Sequence, residues 1–263
     1  MSKKVNIAID AMGGENAPKK IIEGINISLK TNKDNFFHLY GDEKKIKKEI
    51  GKNNLVSKYC NIINTSDIIL DDESPLSAAK RGKESSMWKT IESQKENISD
   101  ISLSAGNTGA LLVISRLILN TIDGISKPAL AGLWPNQNNM NVVLDLGANV
   151  ECNEKNLLDF ASMGSALFKS LFKNEIPKVA LLNIGLEENK GNDTLKKTFS
   201  FTIRETFGLL PSQTFAVSTI SFESKITLFS NSLNPQLIIL SASTALNLVP
   251  SMPFKTKINL LLF

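Results

Sequence analysis

Ser104-Ala105-Gly106-Asn107-Thr108-Gly109-Ala110 joins two unlike patterns: a short aliphatic run from Ile98 to Ser104 before it, and the aliphatic, helix-like stretch Ala110 to Asn120 after it. Strand, glycine-bearing loop and helix in that order make one βα unit. The unit recurs on both sides. Val5 to Asp10 runs into Met12-Gly13-Gly14-Glu15-Asn16-Ala17-Pro18, with a helical segment to about Lys30. Val142 to Leu146 runs into Gly147-Ala148-Asn149 and a helix from Glu154 to about Phe172. Val179 to Ile184 runs into Gly185 to Gly191, with Thr194 to Arg204 helical after it. Strands alternating with helices predict a mostly parallel sheet covered on both faces.

Local signals support the helices. Ser74-Pro75 is an N-cap and first-turn pair, after which Met87, Trp88 and Ile91 fall at helical spacing. Leu157, Phe160, Ala161, Gly164, Leu167, Phe168 and Leu171 form one stripe with steps of three and four, expected to face the core.

The chain has 263 residues, 42% of them hydrophobic and 21% charged, which suits a soluble fold with a large core. Its net charge of +4 is spread along the chain and leaves no nucleic-acid footprint. Two distant cysteines, Cys60 and Cys152, and one histidine, His38, give no metal-ligand spacing, so a reduced, metal-free, cytoplasmic protein is expected. The N-terminus lacks a signal-peptide pattern, and the apolar stretch Leu228 to Val249 is interrupted by Asn231, Asn234 and Pro235, so no membrane span is expected. Residues 207 to 263 contain only Glu223, Lys225, Lys255 and Lys257 as charged residues and Gly208 as glycine. The strand, loop and helix grammar stops there.

In a parallel sheet the strand ends share an edge, so the four glycine loops are expected to converge on one crevice. Backbone N–H groups at the following helix N-termini favour an anion, with phosphate the natural guest. Ser104, Asn107 and Thr108 add side-chain donors, Lys190 a cation, and Lys83, Ser85 and Ser86 a further polar cluster. Glycines after strands are also ordinary turn formers. No loop has Walker A or Gly-x-Gly-x-x-Gly spacing, which leaves nucleotide hydrolysis and dinucleotide binding unsupported. Asp10 and Asp145, near their strand ends, are placed to accept bonds from loop amides, in a structural or a catalytic role.

Read as words, Asp10 to Pro18, Ser85-Ser86-Met87, Ser104 to Ala110, Asp145 to Asn149, Phe160 to Gly164, and Leu181 to Gly185 with Lys190-Gly191 closely resemble the PlsX family of phosphate acyltransferases over roughly residues 4 to 204. The resemblance implies an α/β fold, a three-layer α/β/α sandwich with a mostly parallel sheet, isopropylmalate dehydrogenase-like and usually homodimeric. It implies transfer of a fatty acyl group from acyl carrier protein to inorganic phosphate in bacterial phospholipid synthesis, without a cofactor, and a peripheral association with the membrane. Lys190 and Asn107 are its catalytic candidates. Asp10, Gly13, Gly14, Lys83, Ser85, Ser86, Ser104, Gly106, Thr108, Gly109, Asp145, Gly147 and Asn149 are its candidates for phosphate or substrate binding. Residues 1–206 are then the PlsX-like catalytic core and 207–263 an atypical tail, of the composition a shifted reading frame would give. The family's Gly-Phe-x-Glu-Gly and Asp-Gly-Phe-x-Gly-Asn segments are missing, which leaves a non-catalytic remnant as the competing expectation.

Overall fold

Alternation along Val5–Asp10 places Ile7 and Ile9 on one face of a strand and Asn6, Ala8 and Asp10 on the other. A computed structural model describes residues 4–51, 54–135, 140–173, 175–181, 193–194, 197–198, 236–239 and 259–262. They fall into two compact units, Met1–Asn120 and Thr121–Phe263.

The first unit holds β1 (Val5–Asp10), β2 (Asn35–Gly41), β3 (Cys60–Asn64) and β4 (Ile101–Leu103), all parallel, in the order β3-β2-β1-β4. Helices α1 (Lys19–Thr31), α2 (Glu43–Ile50) and α3 (Asn54–Lys58) cover one face, where Ile22, Ile25, Leu29, Ile46 and Val56 pack on Ile7, Ile9, Phe37 and Leu39. Helices α4 (Pro75–Arg81), α5 (Ser86–Lys95) and α6 (Thr108–Leu119) pack on one another through Ala78, Met87, Ile91, Ala110 and Ile114, with α5 against β1, β2 and β4. This unit is the expected three-layer sandwich.

The sequence reads a helix from Ser74 onward; the structure divides it. A single 3-10 turn, Gly82–Glu84, ends the first piece, and Ser85 then caps α5 by accepting the Trp88 N–H at 3.2 Å. A second N-cap inside an otherwise helical stretch supplies a new start.

The second unit contains β5 (Ala129–Pro135), β6 (Met140–Leu144), α7 (Glu154–Leu171), β7 (Lys178–Leu181), β8 (Gln236–Ile239) and β9 (Asn259–Leu262). Its sheet order is β7-β8-β6-β5-β9, with β5 antiparallel to both neighbours and the other pairs parallel. Two short strands of the low-charge tail thus take part in this sheet. Helix α7 starts with a reciprocal capping box between Asn153 and Asn156 and lays Leu157, Phe160, Ala161, Met163 and Phe168 against Val142, Leu144 and Val179. Leu171, placed in the stripe by its spacing, is 48% exposed at the last turn, while Met163 takes a place in the core that the spacing did not give it. Among the described residues no helix is long and apolar enough to cross a membrane.

The contrast within α7 is measurable. Phe160→Ala, at a side chain with no exposure, lowers stability by about 3–5 kcal/mol in urea titration. Leu171→Ala changes it by no more than about 0.5 kcal/mol.

Candidate active site

In the first unit β1, β2 and β3 follow one another outward, and the chain then returns to lay β4 on the other side of β1. The connection leaving β1 goes to the α1 face and the one leaving β4 enters α6 on the opposite face. Such a switch point opens a crevice outside the carboxyl ends of the two strands.

The loops after β1 and β4 touch there. A methyl on Gly13 would lie 2.9 Å from both the Gly106 nitrogen and Ser104 Oγ, and one on Gly106 would lie 3.2 Å from the Gly13 Cα. Gly14 has φ +88°, and a methyl on it would fall 2.6 Å from the Ala105 carbonyl oxygen. Gly13 is required by close backbone approach and Gly14 also by a left-handed conformation, while Gly106 sits in a tight fit.

Asp10, on the α5 side of β1 and 1% exposed, binds the loops together. Its Oδ2 accepts the Ser104 hydroxyl at 2.7 Å and its Oδ1 the Met12 N–H at 3.2 Å. Ser104 Oγ accepts the Gly106 N–H at 3.1 Å. Burial pushes the Asp10 carboxyl above the usual carboxylate range, while Ser86, Ser104 and the Met12 and Gly13 amides pull it back. Ser86 Oγ is near enough to favour the charged form yet has no hydrogen bond of good geometry among the described residues.

Asn107 caps α6. Its Oδ1 accepts the Ala110 N–H at 2.9 Å, and its Nδ2 donates to the carbonyls of Leu70, Asp71 and Glu73 at 3.2, 3.1 and 2.8 Å. Both ends of this amide are used within the chain. The N–H groups of Thr108 and Gly109, in the first turn of α6, precede any helical acceptor and have no acceptor among the described residues. Nearby, Arg81 straps the 67–73 loop: it donates to Glu73 Oε1 and Asp67 Oδ2 at 2.6 Å each, to the Ile68 carbonyl at 3.3 Å, and to Glu73 Oε2. Sequence reasoning missed this strap, because partners 8 and 14 residues away have no periodic signature. Of the other candidates beside α5, Ser85 is buried as its cap and Lys83 is exposed.

In the second unit Asp145, at the end of β6 and 1% exposed, accepts the Leu130 N–H at 2.8 Å, the Asn149 N–H at 2.8 Å and the Ala148 N–H at 3.3 Å. Asn149 Nδ2 adds bonds to Asp145 Oδ2 and to the Pro128 carbonyl, and Gly147 turns with φ +84°. Desolvation raises the Asp145 carboxyl despite these donors. Lys190, Gly185 and Gly191 lie outside the described residues.

The remaining nucleophile candidates fall away. His38 lies mid-strand in β2, its ring edge-on to Phe36, and burial lowers its pKa. Burial and the neighbouring Asp145 charge push the Cys152 thiol up to about 11, with Lys127 opposing. Against an ordinary thiol at 9.0, that leaves ~100-fold less thiolate at pH 8. Iodoacetamide is therefore expected to label Cys152 about two orders of magnitude more slowly than a free model thiol, as followed by mass spectrometry.

The comparisons with known proteins agree with one another. Residues 5–209 match the family described as fatty acid synthesis protein. A phosphate acyltransferase of Pelagibacter ubique (strain HTCC1062) is 58% identical over 199 residues, covering 76% of this chain and 59% of that protein. One of Rhodospirillum rubrum is 40% identical over 196 residues, covering 74% and 56%. The chain thus spans somewhat under three fifths of the length of these curated relatives. A crystal structure of a phosphotransacetylase from Streptococcus pyogenes shares the fold with a TM-score of 0.64 at 12% identity, covering 97% of this chain and 83% of that one. A branched-chain phosphotransacylase from Enterococcus faecalis V583 does so with a TM-score of 0.56 at 12% identity, covering 94% and 83%. With its α/β architecture, its ordered loop motifs and a match over most of its length, the chain belongs to the fatty acid synthesis protein family, the PlsX group of phosphate acyltransferases.

Proposed function

We propose that this chain carries the core of an enzyme that transfers a fatty acyl group from acyl carrier protein to inorganic phosphate, for bacterial phospholipid synthesis. The observation that carries the reading is the family match over residues 5–209, with relatives named phosphate acyltransferase. A phosphate oxygen attacks the thioester carbonyl carbon, a tetrahedral oxyanion forms, and the C–S bond breaks. The products are acyl phosphate and the carrier thiolate, which takes up a proton. Catalysis of this kind needs positioning and fixed positive potential more than a protein nucleophile.

The roles divide by geometry. The free amides of Thr108 and Gly109 at the α6 N-terminus suit an oxyanion. Asn107, whose side chain is spent on the cap and on three carbonyls, serves the reaction by fixing that terminus. Gly13, Gly14 and Gly106 allow the loops to close, and Asp10, Ser86 and Ser104 lie at their base. Lys190 is the proposed cation for phosphate or the oxyanion. Ser85 and Lys83 flank the first-unit loops, and Asp145, Gly147 and Asn149 shape the loop after β6 in substrate binding. By family kinship the working enzyme is a cytoplasmic homodimer that meets the inner face of the membrane peripherally.

Incubating the chain with an acyl carrier protein thioester and phosphate should release free carrier thiol and an acyl phosphate that hydroxylamine traps. Lys190→Ala is expected to slow release by about 10²–10³-fold, the usual effect of losing one group that stabilises an oxyanion. Release that is independent of phosphate, or unaffected by that substitution, overturns the reading. The low-charge composition of residues 207–263, where the strand, loop and helix grammar stops, favours a second one, a remnant that binds phosphate or carrier protein without turnover. Its signature is a phosphate-dependent rise in Tm, worth about 2.7 kcal/mol at a hundredfold excess over Kd, with no thiol released.

A further inference from the structure

We infer that Asp10 is the positioning residue of this site: by holding Ser104, it fixes the β4 loop and, through that loop, the first amides of α6. What those amides bind rests on the proposed function; what Asp10 holds rests on the described geometry.

Three segments meet at the one carboxyl, namely the β1 loop through Met12, the β4 loop through Ser104, and the start of α5 through Ser86. The link to the β4 loop is a relay. The Ser104 hydroxyl has a single proton and gives it to Asp10 at 2.7 Å, which sets the rotor and turns a lone pair toward the Gly106 N–H at 3.1 Å. Gly106 directly precedes Asn107, the α6 cap. A change in the rotor at Ser104 therefore reaches Thr108 and Gly109 within a few bonds. Asp10 itself does not contact the acyl acceptor: it is 1% exposed and its oxygens are occupied.

The test is NMR of the full chain with inorganic phosphate as the probe, on Asp10→Ala, Ser104→Ala and a control, Leu29→Ala, which opens the core on the α1 face. In the Asp10 and Ser104 variants the amide resonances of Gly106 to Gly109 move and the Gly106 amide loses protection from exchange, while the control lowers Tm without moving them. Phosphate affinity at Thr108 and Gly109 falls about tenfold or more in both variants, the double variant being no worse than either. In turnover, the KM for phosphate rises and that for the acyl carrier thioester does not. Ser104→Ala leaves Asp10 in place, so it decides the matter if Asp10→Ala fails to fold. Unmoved resonances at Gly106 to Gly109 in either variant, or equal movement in the control, overturn the inference. If the wild-type chain binds no phosphate, the proposed function falls, and the positioning role is judged on the resonances and exchange alone.

Discussion

A carboxylate sealed beneath two loops that lie 94 residues apart in sequence is the constraint from which the first unit's architecture at this edge follows. A buried charge costs several kcal/mol unless donors surround it. Asp10 has the Ser104 hydroxyl and the Met12 amide at hydrogen-bond distance, and both can reach it only if the β1 and β4 loops lie against each other. That contact in turn leaves no room for a side chain at Gly13, and the turn beside it needs the left-handed conformation of Gly14. The parallel order of the sheet, with β4 returned to the flank of β1, puts the two strand ends side by side in the first place.

The second unit solves a related problem differently. Asp145 is as deeply buried as Asp10 and is likewise raised by desolvation, yet its donors come from its own loop and from the adjoining strand start at Leu130. It is a self-contained turn. Asp10 instead joins segments that are distant in the chain, so its loss is felt beyond its own loop. Two aspartates with the same sequence setting, a strand end followed by glycine, therefore carry different structural weight, and the difference lies in where the donors come from.

That difference explains what was legible in the sequence. Glycine loops after aliphatic runs marked β1, β4 and β6 with their helices and the strand β7, because a period of two followed by one near 3.6 is a local signal; the helix expected over Thr194 to Arg204 lies largely outside the described residues. The motif words at Gly13 and Gly14 were legible for a physical reason as well, since only glycine satisfies the approach that the structure shows. The pairing of Asp10 with Ser104 was not legible, because it depends on strand order. The triple anchoring of Asn107 and the Arg81 strap depend on the fold of the 67–73 loop, which has no periodicity. Leu171 shows the limit of periodicity itself: it stands exposed while Phe172, one residue on, packs against the core.

The electrostatics of the first unit also constrain where an anion can sit. Asp10 lies at the base of the two loops, where burial raises its carboxyl and its oxygens are already engaged by Ser104 and Met12. Between that carboxyl and the start of α6 stand Ser104, whose proton goes to Asp10, and Gly106, whose N–H goes to Ser104 Oγ. Their dipoles are committed on the inner side. The donors left on the outer side are the first-turn amides of α6, at the positive end of its dipole. The same carboxyl that orders the loops thereby takes up the donors beneath them, while the first-turn amides of α6 stay without an acceptor among the described residues. The Cys152 thiol is pushed up by burial, and His38 stands half-buried in mid-sheet with its pKa lowered, so neither has the setting of an activated nucleophile.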